Sequence, residues 1–229
     1  MSVSVGLVRL PLVIFPLLVG CEPPPPPPPK VAAAQEAAER ELSLADQADR
    51  VRRGRSDTIE LLSELVADDD LSQLGDLTGL HKLVLKRARI SDAGLEHLAG
   101  LTALQTLVLG ETTVTDDGID ALLDMHALES LNLASADVTS AGFKKLVVLT
   151  QLNQVRFGKS RVGDDGLAGA RRMPALTALI LQNAPITDDG LKELIGFDQL
   201  RTLYIEGSQV TDDGAGRLQE SLPQLHFHW

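Results

Sequence analysis

One repeating unit of 24 residues occupies most of this 229-residue chain. Six copies follow one another without a gap from Leu77 to Glu220, beginning LTGLHKLVLKRARISDAGLEHLAG and LTALQTLVLGETTVTDDGIDALLD. A fixed period of this length indicates a solenoid, in which each unit buries its apolar face against its neighbours. The period therefore predicts an elongated repeat domain, a shape that offers a long surface for binding.

The apolar positions within one unit predict a strand followed by a short helix. Leu83 and Leu85 alternate with period two, as in a strand with one buried face. Leu95 and Leu98 are three apart and give a short helix an inward stripe. Between them lies a Ser/Thr-Asp-x-Gly segment, whose hydroxyl can cap the helix while its Asp suits the helix dipole. This segment recurs as Ser91–Gly94, Thr115–Gly118, Thr187–Gly190 and Thr211–Gly214.

These rows resemble the leucine-rich repeat family, and specifically bacterial repeats of the ribonuclease-inhibitor-like or cysteine-containing-like type. The resemblance covers Leu77 to Glu220 in constant register, and Gly163 departs from it by replacing the capping Ser/Thr. It implies an α/β solenoid with a curved parallel sheet on the concave face and short helices on the convex face. Where many such repeats carry Asn, this chain has small residues, which we expect to occupy a tight inner turn: Ala88, Thr112, Ala136, Ser160, Ala184 and Ser208.

Both ends of the solenoid require covers, because terminal units otherwise expose their core. Residues 57–76 are predicted to form an N-terminal cap helix and half-repeat, with Asp57 and Glu60 at capping-box spacing. Residues 221–229 are predicted to form a capping strand, in which Leu225, Phe227 and Trp229 face inward.

The first residues predict export and lipid anchoring. Residues 1–20 have Arg9 before an apolar stretch that is too short to span a bilayer, which is typical of a signal peptide. Leu18-Val19-Gly20-Cys21 resembles a bacterial lipobox, which implies cleavage before Cys21 and lipidation of its thiol. Cys21 is the only cysteine. The alternative is an ordinary signal peptide with a coincidental cysteine.

Residues 21–56 are predicted to form a stalk between the lipid and the repeats. Seven prolines, Pro23–Pro29, would extend about 20 Å as polyproline II. The Ala/Glu-rich segment that follows has Glu36/Arg40 and Asp46/Arg50 at helical i,i+4 spacing. Its composition also permits disorder.

The charge balance restricts the partners. A formal net charge of −11 without a basic stripe disfavours nucleic acid, since phosphate contacts need clustered Lys and Arg. We therefore expect a protein partner in the cell envelope, a membrane contact through the lipid on Cys21, and a monomer. Glu22 after the cysteine favours the outer membrane over the inner.

Strand residues that point away from the core define the candidate partner-binding surface. A mixture of Tyr, Arg, Asn and aliphatic side chains is typical of protein-binding surfaces, with Tyr and Arg as favoured anchors. The alternative is that these are solvated strand residues. The candidates are Lys82, Val84, Asn132, Arg156, Ile180 and Tyr204, with the last three as the central patch.

No catalytic motif, cofactor or metal site is predicted. The Asp-Asp pairs, such as Asp116/Asp117, form an acidic ridge, but they lack the spacing of a calcium loop and are better explained as helix-capping residues. His226 and His228 lie two apart on the terminal strand without an evident third metal ligand. The sequence thus predicts a non-enzymatic binding module. A structural envelope spacer and a surface adhesin are the alternatives.

Overall fold

The computed structural model describes residues 42–62, 65–133 and 135–229. Within these ranges the strands, numbered β1 to β10, are Thr58–Leu61, Val66–Ala67, Lys82–Leu85, Ala88–Arg89, Thr106–Leu109, Ser130–Leu133, Gln154–Gly158, Ala178–Gln182, Thr202–Tyr204 and His226–His228. The α-helices, numbered α1 to α8, are Leu44–Arg52, Asp68–Leu71, Asp92–Glu96, Asp116–Asp120, Ser140–Lys145, Asp164–Ala170, Asp188–Leu194 and Asp212–Ser221. Two 3₁₀ turns follow α2 and α5, at Ser72–Leu74 and Leu146–Val148.

Eight of the strands form one parallel sheet in the order β1-β3-β5-β6-β7-β8-β9-β10, and β2 pairs with β4 in a small second sheet. Each strand pairs with the equivalent residues of the next unit, as Leu83 does with Leu107 and Leu107 with Leu131. Because the pairing advances by one repeat without slippage, equivalent side chains lie side by side in rows across the sheet.

The core is a continuous apolar cluster that runs through all the units. Leu83, Leu107 and Leu131 are fully buried, as are the helix residues Leu95 and Ile119. At about 25 cal/mol per Å² of buried apolar surface, such rows supply the main stabilising contribution. The predicted α/β solenoid, with a parallel sheet on one face and short helices on the other, is confirmed.

Five of the six small residues expected at the tight inner turn are buried, whereas Ser208 is half-buried. Thr112 and Ser160 are each 2% exposed, and Ala136 is fully buried. The residue before each of these positions has a positive φ in five successive units, which is the left-handed region that only glycine adopts at no steric cost. These residues are Glu111, Ser135, Lys159, Asn183 and Gly207.

The helix starts follow the predicted capping pattern in most units. The hydroxyls of Thr115 and Thr187 accept hydrogen bonds from the backbone N–H groups of Asp117 and Asp189. Thr139 and Thr211 cap their helices in the same way, whereas Ser91 does not cap its own helix. Each cap satisfies one of the free N–H groups at a helix start.

The Asp that begins five of the helices has a further function, because it joins successive units. The Oδ1 of Asp92 accepts from the Thr115 backbone N–H at 2.8 Å, and its Oδ2 accepts from the Thr115 hydroxyl at 2.7 Å. The same pair of bonds links Asp68 to Ser91, Asp116 to Thr139, Asp164 to Thr187 and Asp188 to Thr211. We call this series the aspartate ladder.

At one step of the ladder, both the acceptor residue and the donor residue differ from the usual Asp and Thr. Ser140 replaces the Asp, and Gly163 replaces the Thr of the following unit. The Ser140 hydroxyl accepts from the Gly163 backbone N–H at 2.9 Å. The shorter side chain of Ser140 therefore still accepts the hydrogen bond from the backbone N–H. The second ladder bond is absent, because Gly163 has no hydroxyl to donate. The ladder also explains the glycine two residues after each Asp, because a Cβ on Gly118 would lie 2.2 Å from the Oδ1 of Asp92.

The predicted N-terminal cap helix over residues 57–76 is wrong. Thr58–Leu61 is the strand β1, and Ile59 pairs with Leu83, one repeat later. The described residues between 53 and 76 therefore belong to a seventh unit. Their helix begins at Asp68, where Asp70 stands in place of the usual glycine and accepts from the Ala67 backbone N–H. The Asp is tolerated because no earlier ladder carboxylate approaches this position in the described part of the chain.

The cap is instead α1, which the sequence analysis assigned to the stalk. Leu44, Ala48 and Val51 on its inner face are buried. The Gln47 side chain accepts from the Glu60 backbone N–H and donates to the Glu60 carbonyl, so it pairs with the edge strand β1. This contact covers hydrogen-bonding groups that an edge strand would otherwise expose.

At the other end, β10 pairs with β9 and is the last strand of the sheet. Leu225 and Phe227 face inward as predicted, being 5% and 8% exposed. Trp229 does not, since it is 49% exposed. It lies one residue beyond β10, with its ring against that of Phe227 at a centroid distance of 4.9 Å.

The predicted signal peptide over residues 1–20, Cys21 and the prolines lie outside the described residues. None of the described helices is both long enough and apolar enough to cross a membrane.

Candidate functional site

Parallel pairing in constant register sets eight outward-facing side chains in one row across the sheet. We call this the central row. Its members are Glu60, Val84, Val108, Asn132, Arg156, Ile180, Tyr204 and His228. Five of the six candidate partner-binding residues belong to it, and Lys82 lies in the adjacent row. The register thus places side chains from separate repeats next to one another.

Three of the candidates line one depression on this face. Arg156, Ile180 and Tyr204 come from β7, β8 and β9, and the depression has a volume of about 380 Å³. The remaining lining residues are polar or small side chains from the same three strands: Gln154, Ala178, Gln182 and Thr202. We call Arg156, Ile180 and Tyr204 the concave patch. The depression is open, so it suits a side chain projecting from a partner rather than an enclosed small molecule.

Arg156 is the charged group of the concave patch. Its side chain is exposed, and it forms no hydrogen bond or ion pair with any described residue. Ile180 and Tyr204 beside it are half-buried, leaving an apolar and an aromatic surface next to a cation. The patch can therefore accept an acidic group that is flanked by apolar side chains.

Asn132 neighbours the concave patch in the central row, where it pairs in register with Arg156. Its side-chain Oδ1 is buried and has no hydrogen-bond partner among the described residues. A buried acceptor without a partner costs free energy.

The structure does not bring the two N-terminal candidates into the depression. Lys82 forms an ion pair with Glu60, with 3.3 Å between Nζ and Oε2. Val84 is only 6% exposed, so it offers little surface to a partner. The predicted lipidation site, Cys21, lies outside the described residues.

The Asp pairs lie at the starts of the helices α4, α6, α7 and α8. In three pairs the first residue, Asp116, Asp164 or Asp188, is held in the aspartate ladder. Of the second residues, Asp165 and Asp189 form ion pairs with Lys144 and Lys192. Hydrogen bonding also lowers the pKa of Asp188, mainly through the Thr211 hydroxyl and then through its backbone N–H. Among residues 42–62, 65–133 and 135–229, no group of three His, Cys, Asp or Glu side chains is arranged to hold a metal ion.

Three rings at the end of the central row form a cluster that the sequence analysis missed. Tyr204 stacks on His228 with a centroid distance of 4.4 Å and an interplanar angle of 7°. His226 contacts both, at 5.9 Å from Tyr204 and 4.8 Å from His228. Aligning the terminal strand with the repeats would have revealed the cluster, since His226 and His228 occupy the positions of Thr202 and Tyr204.

Comparison with known proteins agrees with this architecture. A family model described as a leucine-rich repeat matches residues 173–194, which lie within a single repeat unit. The crystal structure of an internalin C2 from Listeria monocytogenes aligns with a TM-score of 0.59 and 21% identity, over 88% of this chain and 92% of that one.

The fold is that of a leucine-rich repeat solenoid. A second Listeria monocytogenes structure, of an internalin, aligns with a TM-score of 0.49 and 19% identity, over 79% of this chain and 62% of that one. A search of curated protein sequences gave no significant match. At this level of sequence identity the likeness extends to the fold alone.

Proposed function

We propose that this chain is a membrane-anchored binding module, whose concave patch contacts a protein partner in the cell envelope. The observation that carries the proposal is the depression lined by Arg156, Ile180 and Tyr204, in which an unpaired cation adjoins apolar and aromatic surface. Tyr and Arg are enriched among binding hot spots, and they act best where surrounding contacts exclude water. The fold supports this function because it presents one residue per repeat on a continuous face.

The charge of the patch restricts the partner. Arg156 is an unpaired cation in a chain of net charge −11. The partner surface should therefore carry a carboxylate beside an aliphatic or aromatic side chain.

The place of action rests on the first 21 residues of the sequence. The apolar stretch that ends in Leu-Val-Gly-Cys supports export and acylation at Cys21. Two or more acyl chains on one residue suffice for stable anchoring, whereas one chain gives marginal binding. We assign the repeats to the periplasm or the cell surface, with the outer membrane favoured.

The binding proposal is tested by affinity purification from membranes of cells that produce the protein. Arg156→Glu combined with Tyr204→Ala removes the charge and the aromatic surface of the concave patch. Loss of two hot-spot contacts should reduce recovery of a specific partner by at least about tenfold.

A control changes one arginine and one large apolar residue on the helix side of the solenoid. Arg172 is exposed and Ile195 is 43% exposed, so Arg172→Glu with Ile195→Ala should leave recovery unchanged. Equal recovery with the concave and the control variants would refute the concave site. Thermal unfolding of each variant verifies that the fold is intact.

Anchoring is tested separately by intact mass and membrane fractionation of wild type and Cys21→Ala. We expect an acylated chain that begins at Cys21 in the wild type, and an unprocessed or released chain in the variant. An unmodified wild-type chain in the soluble fraction would refute the anchor.

A further inference from the structure

Two histidine side chains converge at the C-terminal end of the sheet. His226 and His228 are exposed, and they lie on the same face of β10 because alternate residues of a strand point the same way. Their Nε2 atoms are 3.2 Å apart. In the metal-free chain, one Nε2–H can donate to the Nε2 of the other ring.

That separation matches the spacing of two ligands on a single metal ion. Imidazole nitrogens bind Zn²⁺ at about 2.0–2.1 Å in tetrahedral geometry, which places two of them about 3.3–3.4 Å apart. Neutral imidazole is also a preferred ligand for copper and nickel. We propose that His226 and His228 chelate a divalent transition metal ion through their Nε2 atoms.

Neighbouring residues support the two rings in position. Tyr204 stacks flat on His228 at 4.4 Å and contacts the edge of His226 at 5.9 Å. Packing of this kind restricts rotation of the rings, so less side-chain conformational entropy is lost when the ion binds. When both Nε2 atoms coordinate, each ring carries its proton on Nδ1, and no proton is gained or lost by the pair.

The site has two protein ligands and open positions. No group of three potential metal-binding side chains exists within the described residues, so the remaining positions are filled by water or by a donor from another molecule. His228 is the last member of the central row, two strands from Ile180 of the concave patch. A metal ion held here would present its open positions on the face that carries the patch. The metal site does not depend on the proposed protein partner.

The experiment is a calorimetric titration of the untagged chain with Zn²⁺ at neutral pH. Cys21→Ser is introduced into every sample, so that no thiol competes for the ion. We expect saturable binding of one Zn²⁺ per chain. His226→Ala or His228→Ala should each weaken it by at least about tenfold, since even indirect changes around a metal site cost 10–100-fold.

His97→Ala and His126→Ala are the matched controls, because both histidines are exposed and lie in other units. They should bind Zn²⁺ as the parent does. A second readout is quenching of fluorescence by Cu²⁺, since Trp229 is the only tryptophan and follows His228 directly. We expect quenching to require both His226 and His228. Absence of saturable binding, or equal binding by all four variants, would overturn the proposal.

Discussion

At the scale of single residues, the most unusual positions are the left-handed ones of the inner turn. Lys159 has a φ of 60° and Glu111 a φ of 46°, where glycine would be free of steric cost. A side chain in this region costs roughly 1–2 kcal/mol, which the surrounding repeat structure has to offset. The last repeat has Gly207 at this position, so it does not incur that cost.

Lys159→Gly is therefore expected to stabilise the protein. Glycine relieves the backbone strain of the folded state, but it also raises the entropy of the unfolded chain. The two effects together should raise the free energy of unfolding by about 0.5–1 kcal/mol. Lys159→Ala is the control, since it removes the same side chain but keeps the Cβ and should give no such gain. Urea unfolding of the three proteins measures both differences. A loss of stability in Lys159→Gly would contradict the assigned backbone conformation.

Asp188 links a single residue to the pH dependence of stability. Its pKa is lowered in the folded state, chiefly by the hydrogen bond from the Thr211 hydroxyl. The unfolded value is about 3.9, so the folded chain gains stability from the ionised form above that pH and loses it as the pH falls through the lower folded value. Wild type should be more stable than Asp188→Asn at neutral pH.

The stability gap between these two proteins should narrow on acidification below about pH 4. Thermal unfolding of both across this range measures it. A gap that stays constant with pH would show that the Thr211 bonds do not favour the ionised carboxylate.

At the scale of elements, the aspartate ladder is the polar counterpart of the leucine rows. It joins the start of one helix to the start of the next, and its bonds of 2.5–2.8 Å from Thr139 to Asp116 are typical of charge-assisted hydrogen bonds. The repeated Thr-Asp-Asp-Gly motif thus couples neighbouring units, whereas helix capping alone would act within one unit.

Asp116→Ala should lower the free energy of unfolding by about 1–3 kcal/mol, because both Thr139 donors lose their acceptor. Asp117→Ala is the matched control. Asp117 is the exposed second residue of the pair and should change stability little. Chemical denaturation measures each. Equal effects of the two substitutions would show that the ladder bonds contribute nothing.

The natural exception suggests a double-mutant cycle as a further test. Asp116→Ser with Thr139→Gly reproduces the Ser140/Gly163 pair, and the double variant should lose less stability than the sum of the single variants. Strict additivity would contradict direct coupling.

The leucine pattern predicted the solenoid well, because a 24-residue apolar period can be buried only by stacking. It failed at the N-terminus for a physical reason. In the first unit Asp70 stands where other units have glycine, and Ser56 stands where they have leucine, so the motif was not recognisable there. The ladder was also missed, since an Asp after Thr looks the same whether it serves its own helix or the next one.

Two substitutions in the helix α1 test whether this helix is the N-terminal cap of the solenoid. Ala48 is fully buried against the first unit, whereas Ala45 on the same helix is exposed. Ala48→Glu should destabilise the protein by about 2–3 kcal/mol, because a large unpaired charge is forced into packed surface. Ala45→Glu should be near neutral. Thermal or urea unfolding measures the stability of both variants. Equal effects would show that residues 44–52 are not a cap of the solenoid and belong to the stalk.

At the scale of the whole molecule, the repeat turns a one-dimensional pattern into a surface. The candidate side chains could be chosen from the sequence because alternation shows which residues leave the core. Their grouping could not, since it depends on the register between strands 24 residues apart and on local charge pairing. Lys82 is neutralised by Glu60, whereas Arg156 has no described partner, and the depression forms at β7 to β9.

The most direct test of the proposed binding face is site-specific photo-cross-linking in intact cells that produce the protein. A photoreactive amino acid replaces Ile180 in the concave patch or, as the matched control, Ile195 on the helix side. We predict a discrete protein adduct from position 180, absent from position 195 and lost when Arg156→Glu is added. No adduct from position 180, or the same adduct from both positions, would contradict the proposal that the concave patch binds a protein partner.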